Sequence, residues 1–307
     1  GLFNSPTLTA AVAAQAQARE NWKAQIGNAL FPAIDSSMQT IRQRYSGAQI
    51  GIPIDSQTFT LYNPAFNIAY TLDIWGGARR QIESLKAQID YQHFQLVAAR
   101  LTLTSNIVTT AISIASFNAQ IKATKDLIGI QTNILNVLKN QYRLGGIANT
   151  DVLTQQTLLE QTKATLPPLE KNFSMQKHAM SVLVGTFPDR PLPEIHLDKL
   201  RLPAELPLTL PSNLVRQRPD ILAAEAQMHV ACAQIGVATA NLLPQLNLTG
   251  SDGWISTSWT KLFTERNSVW SLAAQLSQPL FHGGALFAQK RGAIDAFKQS
   301  SAQYQQT

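Results

Sequence analysis

A seven-residue spacing of large apolar side chains runs through the middle of this 307-residue chain and limits what it can fold into. Ile107, Ile114, Ile121, Ile128, Leu135 and Tyr142 fall seven apart, and Ile82, Ile89, Leu96 and Leu103 form an earlier register that joins them by a four-residue step. Heptad spacing puts these side chains along one helix face, a seam that needs a partner helix. The seam covers 61 residues without a proline, and Gly129 is its only internal glycine. From Arg79 to Arg143 the segment would form roughly 98 Å of straight helix at about 1.5 Å per residue. A second seam, Val152, Leu159, Leu166, Phe173 and Met180, follows at once. Between them, Leu144-Gly145-Gly146-Ile147-Ala148 is too short for anything except a tight reversal, with Gly145 or Gly146 suited to a left-handed helix end. Asn149, Thr150 or Asp151 can cap the returning helix, and Asp151 complements its positive end. That helix is expected from Asn149 to Val184, broken at Pro167-Pro168. Rods of this length cannot make a compact core; a plain coiled-coil projection and the wall of a helical barrel are both open.

The chain also repeats itself. Pro6 opens an Ala/Gln-rich helical stretch ending at Leu30-Phe31-Pro32, and Pro219 opens a similar one ending at Leu242-Leu243-Pro244. Gly76-Gly77 follows the first and Gly283-Gly284 the second, and each pair reads as a strand-to-helix turn. Between landmarks the periodicity changes from helical to two. Phe66, Ile68, Tyr70, Leu72 and Ile74 alternate with Asn67, Ala69, Thr71 and Asp73, and Trp270, Leu272, Ala274, Leu276 and Leu280 repeat the pattern. Their partners are Ala33 to Tyr45 and Gln245 to about Trp254, so each repeat holds one hairpin, with loops around Gly47 to Asp55 and Ser256 to Asn267. A soluble sandwich with one wet face and a membrane sheet whose apolar face meets lipid both fit this alternation. The long helices beside the hairpins favour the membrane sheet. Such a sheet must close, because open edges leave unpaired backbone groups in hydrocarbon. Four strands are too few to close alone, so subunits must complete the barrel, and three copies would supply twelve strands.

Only 14% of residues are charged, against roughly a quarter in soluble domains. Gln alone supplies 29 residues and, with Ser, Thr and Asn, gives a neutral polar surface suited to a lumen or a neighbouring subunit. A hydrophobic content of 45% with 5 Trp excludes a disordered chain. The net charge of +6 is dispersed, without the basic stripe that nucleic acid requires, so no nucleic-acid partner is expected. A single cysteine, Cys232, excludes an intramolecular disulfide and a Cys-based zinc site. Leu101 to Ile121 is long enough to span a bilayer, but ten of its 21 residues are polar, which argues against a spanning helix. His93, His178, His196, His229 and His282 stand far apart, and no nucleophile elbow, P-loop or dinucleotide fingerprint is present. The chain is therefore read as a non-enzyme without metal or cofactor.

Several motifs resemble the TolC family of trimeric outer membrane channels, and within it the NodT-like efflux lipoproteins. Pro211-Ser212-Asn213-Leu214-Val215-Arg216-Gln217-Arg218-Pro219-Asp220-Ile221 with Ala223-Ala224-Glu225-Ala226-Gln227 is similar to the signature opening that branch's second repeat. Leu72-Asp73-Ile74-Trp75-Gly76, Gln278-Pro279-Leu280-Phe281-His282-Gly283-Gly284, Tyr142-Arg143-Leu144-Gly145-Gly146 and Leu166-Pro167-Pro168-Leu169 also resemble it, in the same order. The resemblance implies an α+β membrane protein with an internal tandem repeat. Long antiparallel helices would form a periplasmic α-barrel, and four strands per protomer would enter a trimeric outer membrane β-barrel. It divides the chain into a first-repeat helix (1–31), a first barrel hairpin (32–75), a tunnel hairpin (76–185) with its tip at 143–152, and a Pro-rich equatorial connection (186–211). A second-repeat helix (212–243), a second barrel hairpin (244–282) and the start of a second long helix (283–307) complete it.

The resemblance implies a passive conduit in a tripartite efflux system for drugs, metals or other small solutes. Its implied partners are two further copies of itself, outer membrane lipids, a periplasmic adaptor (membrane fusion) protein and an RND-type inner membrane pump. Arg143, Leu144, Gly145, Gly146, Asn149, Thr150, Asp151 and Val152 would form the gate and adaptor contact. A type I secretion duct and a periplasmic coiled-coil adaptor are the alternatives. The chain opens with Gly1 and no signal peptide, and Cys232 cannot serve as an N-terminal lipidated cysteine, so any anchor is expected outside these residues. Set back by 207 residues, Thr307 corresponds to position 100, whereas the first return helix runs to Val184, so the second repeat is expected to be incomplete.

Overall fold

The computed structural model describes residues 5–46, 55–191, 193–199 and 217–307. Helix α1 (Pro6–Leu30) leads into strands β1 (Ala33–Tyr45) and β2 (Gln57–Leu72), then helices α2 (Gly77–Arg143) and α3 (Asn149–Val184). After a 3₁₀ turn at Leu197–Lys199 come helix α4 (Pro219–Ala240), strands β3 (Gln245–Trp254) and β4 (Ser268–Ser277), and helix α5 (Ala285–Gln306). The sequence of helix, hairpin and helix thus occurs twice. Packing divides the chain into two units, one drawing on residues 1–14 and 95–216 as far as these are described, the other on residues 15–94 and 217–307.

In the second unit the strands form one antiparallel sheet in the order β1-β2-β3-β4. The repeats meet at β2 and β3, where Leu72 lies opposite Leu246 and Tyr70 opposite Leu248. Residues directly opposite share a face, and faces alternate along each strand. One face carries the rows Ile34–Ile68–Gly250–Leu272 and Ser36–Phe66–Asp252–Trp270, with Met38, Leu246 and Leu276 beside them. This face is open: Trp270 is 77% exposed and Leu272 80%. The other face carries Asp35–Asn67–Ser251–Ser271 and Thr71–Asn247–Gln275. Its side chains bond across strands: Asn67 Nδ2 donates to Ser37 Oγ at 3.0 Å, Thr71 Oγ1 donates to Asn247 Oδ1 at 2.7 Å, and the hydroxyls of Ser251 and Ser271 lie 2.9 Å apart. Farther along, the same face turns apolar, with Ile41 opposite Leu61. Gly253 is required by close approach, since a Cβ there would meet the Pro64 carbonyl oxygen and lie 2.8 Å from Ala65 Cα.

Two strand limits differ from the alternation in the sequence. β2 ends at Leu72, because Asp73 turns to serve the start of α2, and Ile74 lies outside the strand. β4 ends at Ser277: Gln278 Nε2 donates to the Leu242 carbonyl, and Pro279, lacking an N–H, cannot extend the ladder, so Leu280 is outside as well. Of the loop expected from Gly47 to Asp55, residues 47–54 lie outside the described residues.

The first unit contains the far part of α2 packed against α3. Leu103, Ile114, Ile121 and Leu135 on α2, and Val152, Leu159 and Met180 on α3, are buried, so the heptad seams are the buried stripes. Leu135, Val152 and Leu159 form a core with Ile128, Leu138 and Ile147 around it. Lys125 and Glu170 form an ion pair across the two helices at 3.0 Å. Within α2, the hydroxyls of Thr104, Thr109 and Ser113 donate to the carbonyls of Arg100, Ser105 and Thr109. That internal bonding accommodates the polar residues of the 101–121 stretch. By length and composition alone both α2 and α4 could cross a membrane.

The break expected at Pro167-Pro168 does not occur: α3 is continuous from Asn149 to Val184 with both prolines inside it. Each proline removes one N–H, but the carbonyls left over, on Lys163 and Ala164, belong to exposed residues that water can reach. Gly185, at φ 71°, stops the helix in the left-handed conformation. Of the Pro-rich connection expected over 186–211, and of the segment expected over 212–243, residues 192 and 200–216 lie outside the described residues, and with them the opening of the Pro211–Ile221 motif.

Candidate functional site

The tip is built by a helix stop. Gly145 takes φ +79°, its N–H donates to the Tyr142 carbonyl at 2.9 Å, and the Gly146 N–H donates to the Gln141 carbonyl at 2.9 Å. This paired arrangement satisfies the last carbonyls of α2 and reverses the chain. Of the two candidate glycines, Gly145 is thus the one whose conformation disfavours a side chain. Arg143 Nη2 donates to Asn140 Oδ1 at 2.6 Å, which holds the guanidinium along α2. Leu144 is 85% exposed, the most open apolar side chain of the turn.

Capping of the returning helix differs from expectation. Ala148 is the N-cap residue, and no side chain closes the helix start. Asn149, Thr150 and Asp151 fall inside the first turn, one position too late to accept the free N–H groups. Asp151 keeps its favourable place at the positive helix end. Val152 points into the core with only 6% exposure, so it fixes the hairpin instead of offering a contact. Of the tip residues named from the sequence, Arg143, Leu144, Gly145, Gly146, Asn149, Thr150 and Asp151 are exposed.

The strand-to-helix turns also separate by role. Gly76, Gly283 and Gly284 have φ of 79°, 59° and 80°. Gly77 instead starts α2, and a Cβ on it would lie 2.8 Å from Ala240 Cβ, so its small size lets α2 approach α4. Around Gly76 two further side chains have structural roles. Asp73 accepts the N–H groups of Ala78 and Arg79, each at 3.0 Å, and the Arg79 guanidinium at 3.1 Å. Burial raises the Asp73 pKa, but the two N–H bonds and Arg79 outweigh it and hold the carboxyl below its usual range. Trp75 Nε1 donates to the Pro244 carbonyl at 2.6 Å, tying the first repeat's strand-to-helix turn to the second repeat's helix-to-strand turn. The Asp73–Trp75 spacing in the Leu72–Gly76 motif was the available signal, but its strand alternation concealed it.

Among the histidines, His229 Nε2 lies 2.9 Å from Glu83 Oε1, and Arg80 bonds the other oxygen of Glu83 at 2.6 Å, linking α2 to α4. The bond from His229 lowers the Glu83 pKa against a smaller opposing effect of burial. His93 Nδ1 sits 3.3 Å from Gln15 Nε2. Cys232 is an exposed residue of α4. No group of three His, Cys, Asp or Glu residues able to hold a metal occurs among the described residues.

A sheet with one largely apolar and one largely polar face, and a long seam-paired helical hairpin, are the two features expected of an outer membrane channel protein. The chain belongs to the outer membrane efflux protein family, whose sequence pattern matches residues 2–186 and 210–307. It is 28% identical over 305 residues to the pyoverdine export outer membrane protein OpmQ of Pseudomonas aeruginosa, covering 94% of this chain and 61% of that protein. With Nodulation protein T of Rhizobium leguminosarum bv. viciae it shares 27% identity over 237 residues, 76% of this chain and 48% of that one. The solved outer-membrane channel OprN superposes with a TM-score of 0.90 at 26% identity, covering 99% of this chain and 68% of that one. The chain thus spans about three fifths of OpmQ. Membership in this family places the chain in the outer membrane.

Proposed function

We propose that this chain supplies one protomer of a trimeric outer membrane channel through which a tripartite pump exports small solutes from the periplasm. The observation that carries the reading is the two-faced sheet with unpaired edges. β1 and β4 each leave one row of backbone groups without a partner strand among the described residues. In hydrocarbon such edges must be paired, and neighbouring copies of the same hairpins are the natural partners. The apolar face then meets lipid, while the face carrying Asn67, Thr71, Asn247, Ser251 and Gln275 lines a polar path.

The described part of the path is lined by neutral amides and hydroxyls, which suits a passive conduit. Energy comes from an inner membrane pump of the RND type, and a periplasmic adaptor engages the tip formed by residues 143–151. Neutral amide and hydroxyl groups exchange hydrogen bonds with water at little net cost, so solutes of varied structure pass without being held.

Export in living cells tests the reading. Deleting the gene raises susceptibility to the exported compounds, and the gene restores resistance only where adaptor and pump are both present. Restoration in a strain without the pump contradicts the passive role. Replacing Gly145 and Gly146 with bulky residues blocks export yet leaves membrane insertion intact; wild-type resistance in that variant removes the tip assignment.

A further inference from the structure

The outward face of the sheet changes character along β1 and β2. Leu72, Tyr70, Ile68, Phe66, Pro64 and Tyr62 follow one another on that face of β2. Ten residue steps from Leu72 to Tyr62 cover about 34 Å of strand, and a tilt of about 40° reduces this to about 25 Å of height, the thickness of a barrel's apolar band. The band closes on an aromatic pair, Tyr62 edge-on to Trp259 with ring centroids 5.4 Å apart. Interfacial aromatic rings occupy such a boundary in membrane barrels.

Beyond that boundary, on the same face, stand two arginines. Arg42 lies opposite Thr60 and Arg44 opposite Thr58, both exposed and both in step with Ile34 and Met38. Arg44 donates from Nε and Nη2 to Ser56 Oγ at 3.2 and 2.8 Å. No carboxylate pairs with Arg42 or Arg44 among the described residues. Exposed Lys261 and Arg266 lie in the β3–β4 loop, with Glu265 between them; Asp55 is the other acid near this end of the sheet, and Asp252 lies lower on the same face, opposite Phe66. Two guanidinium groups placed just above an apolar band match a layer of phosphate, to which arginine binds through paired N–H donors.

We propose that Arg42 and Arg44 clamp the phosphates of a glycolipid headgroup in the outer leaflet and thereby set the depth of the barrel. This rests on the channel reading, in which the apolar face meets lipid. The partner is the headgroup phosphate of a membrane lipid, because the arginines lie in register with that face and above its aromatic edge.

Vesicles provide the test. The full-length channel reconstituted into vesicles containing lipid A is compared with the same protein in vesicles containing dephosphorylated lipid A, with retained lipid counted by native mass spectrometry. The wild type retains at least about fivefold more of the phosphorylated lipid. The Arg42→Gln/Arg44→Gln variant loses that preference, and Arg42→Lys/Arg44→Lys keeps most of it. Equal retention of the two lipids by the wild type overturns the proposal without reference to any variant. A wild-type protein that stays in water without detergent defeats the channel reading itself; one that inserts but ignores the phosphates defeats only the clamp.

Discussion

The hairpin of α2 and α3 and the four-stranded sheet draw on the same apolar residue types but dispose of them in opposite ways. The hairpin buries a stripe at every seventh residue, with Leu159 at 3% exposure, and turns polar residues outward. The sheet leaves open a face rich in Trp, Leu, Ile and Phe, and polar side chains bond to one another on the other face. A stripe needs only a second helix of the same chain. An open apolar face tens of ångströms across needs a solvent that is itself apolar. The contrast shows why hydropathy averaged along the chain is a poor guide here: α2 and α4 are long and apolar enough to span, whereas alternation leaves each strand half polar.

Substitutions sharpen this contrast. Leu159→Ala removes a packed core side chain and costs about 2–5 kcal/mol of hairpin stability, measured by chemical denaturation. Leu272→Arg, at a position already open, costs about 2–4 kcal/mol of membrane-inserted stability. In detergent-free water the same change is harmless or solubilising. If Leu272→Arg destabilises no more than Ser271→Arg, the two faces are not distinct.

A smaller effect is expected where strand becomes helix. Asp73→Asn weakens the cap of α2 by about 1 kcal/mol near neutral pH. Because the folded carboxyl titrates below its unfolded value, its contribution is present above about pH 4 and is lost as pH falls through the folded pKa. The wild-type advantage over Asp73→Asn therefore shrinks on acidification, as thermal melts across a pH series will show; an advantage growing towards low pH contradicts the cap. The smallest effect belongs to the exposed Lys125–Glu170 pair, where Lys125→Ala changes stability by no more than about 0.5 kcal/mol.

Periodicity made much of this legible. The seams, both hairpins, the α3 limits and the reversal at Gly145 follow from spacing and from glycine's access to positive φ, which are local properties. The joining of the repeats through β2 and β3 was not legible, since pairing between Leu72 and Leu246 links positions far apart in sequence. Nor were the roles of Asp73 and Trp75, whose partners, the α2 N–H groups and the Pro244 carbonyl, appear only once the chain has folded. The continuity of α3 through Pro167-Pro168 was misjudged because the cost of a proline depends on whether the abandoned carbonyls meet water. Conversely, the expected cap at residues 149–151 failed by a single position, within the ordinary uncertainty of a helix boundary.

In the assembled channel the Ile34–Leu272 face of the sheet contacts lipid. Single cysteines placed from 269 to 276, in a Cys232→Ser background, can each carry an environment-sensitive fluorophore in the membrane-inserted protein. A quencher attached to lipid tails is expected to dim labels at 270, 272, 274 and 276, while a water-soluble quencher dims those at 271, 273 and 275. Uniform quenching by the aqueous reagent along β4, with no two-residue alternation, would contradict lipid contact.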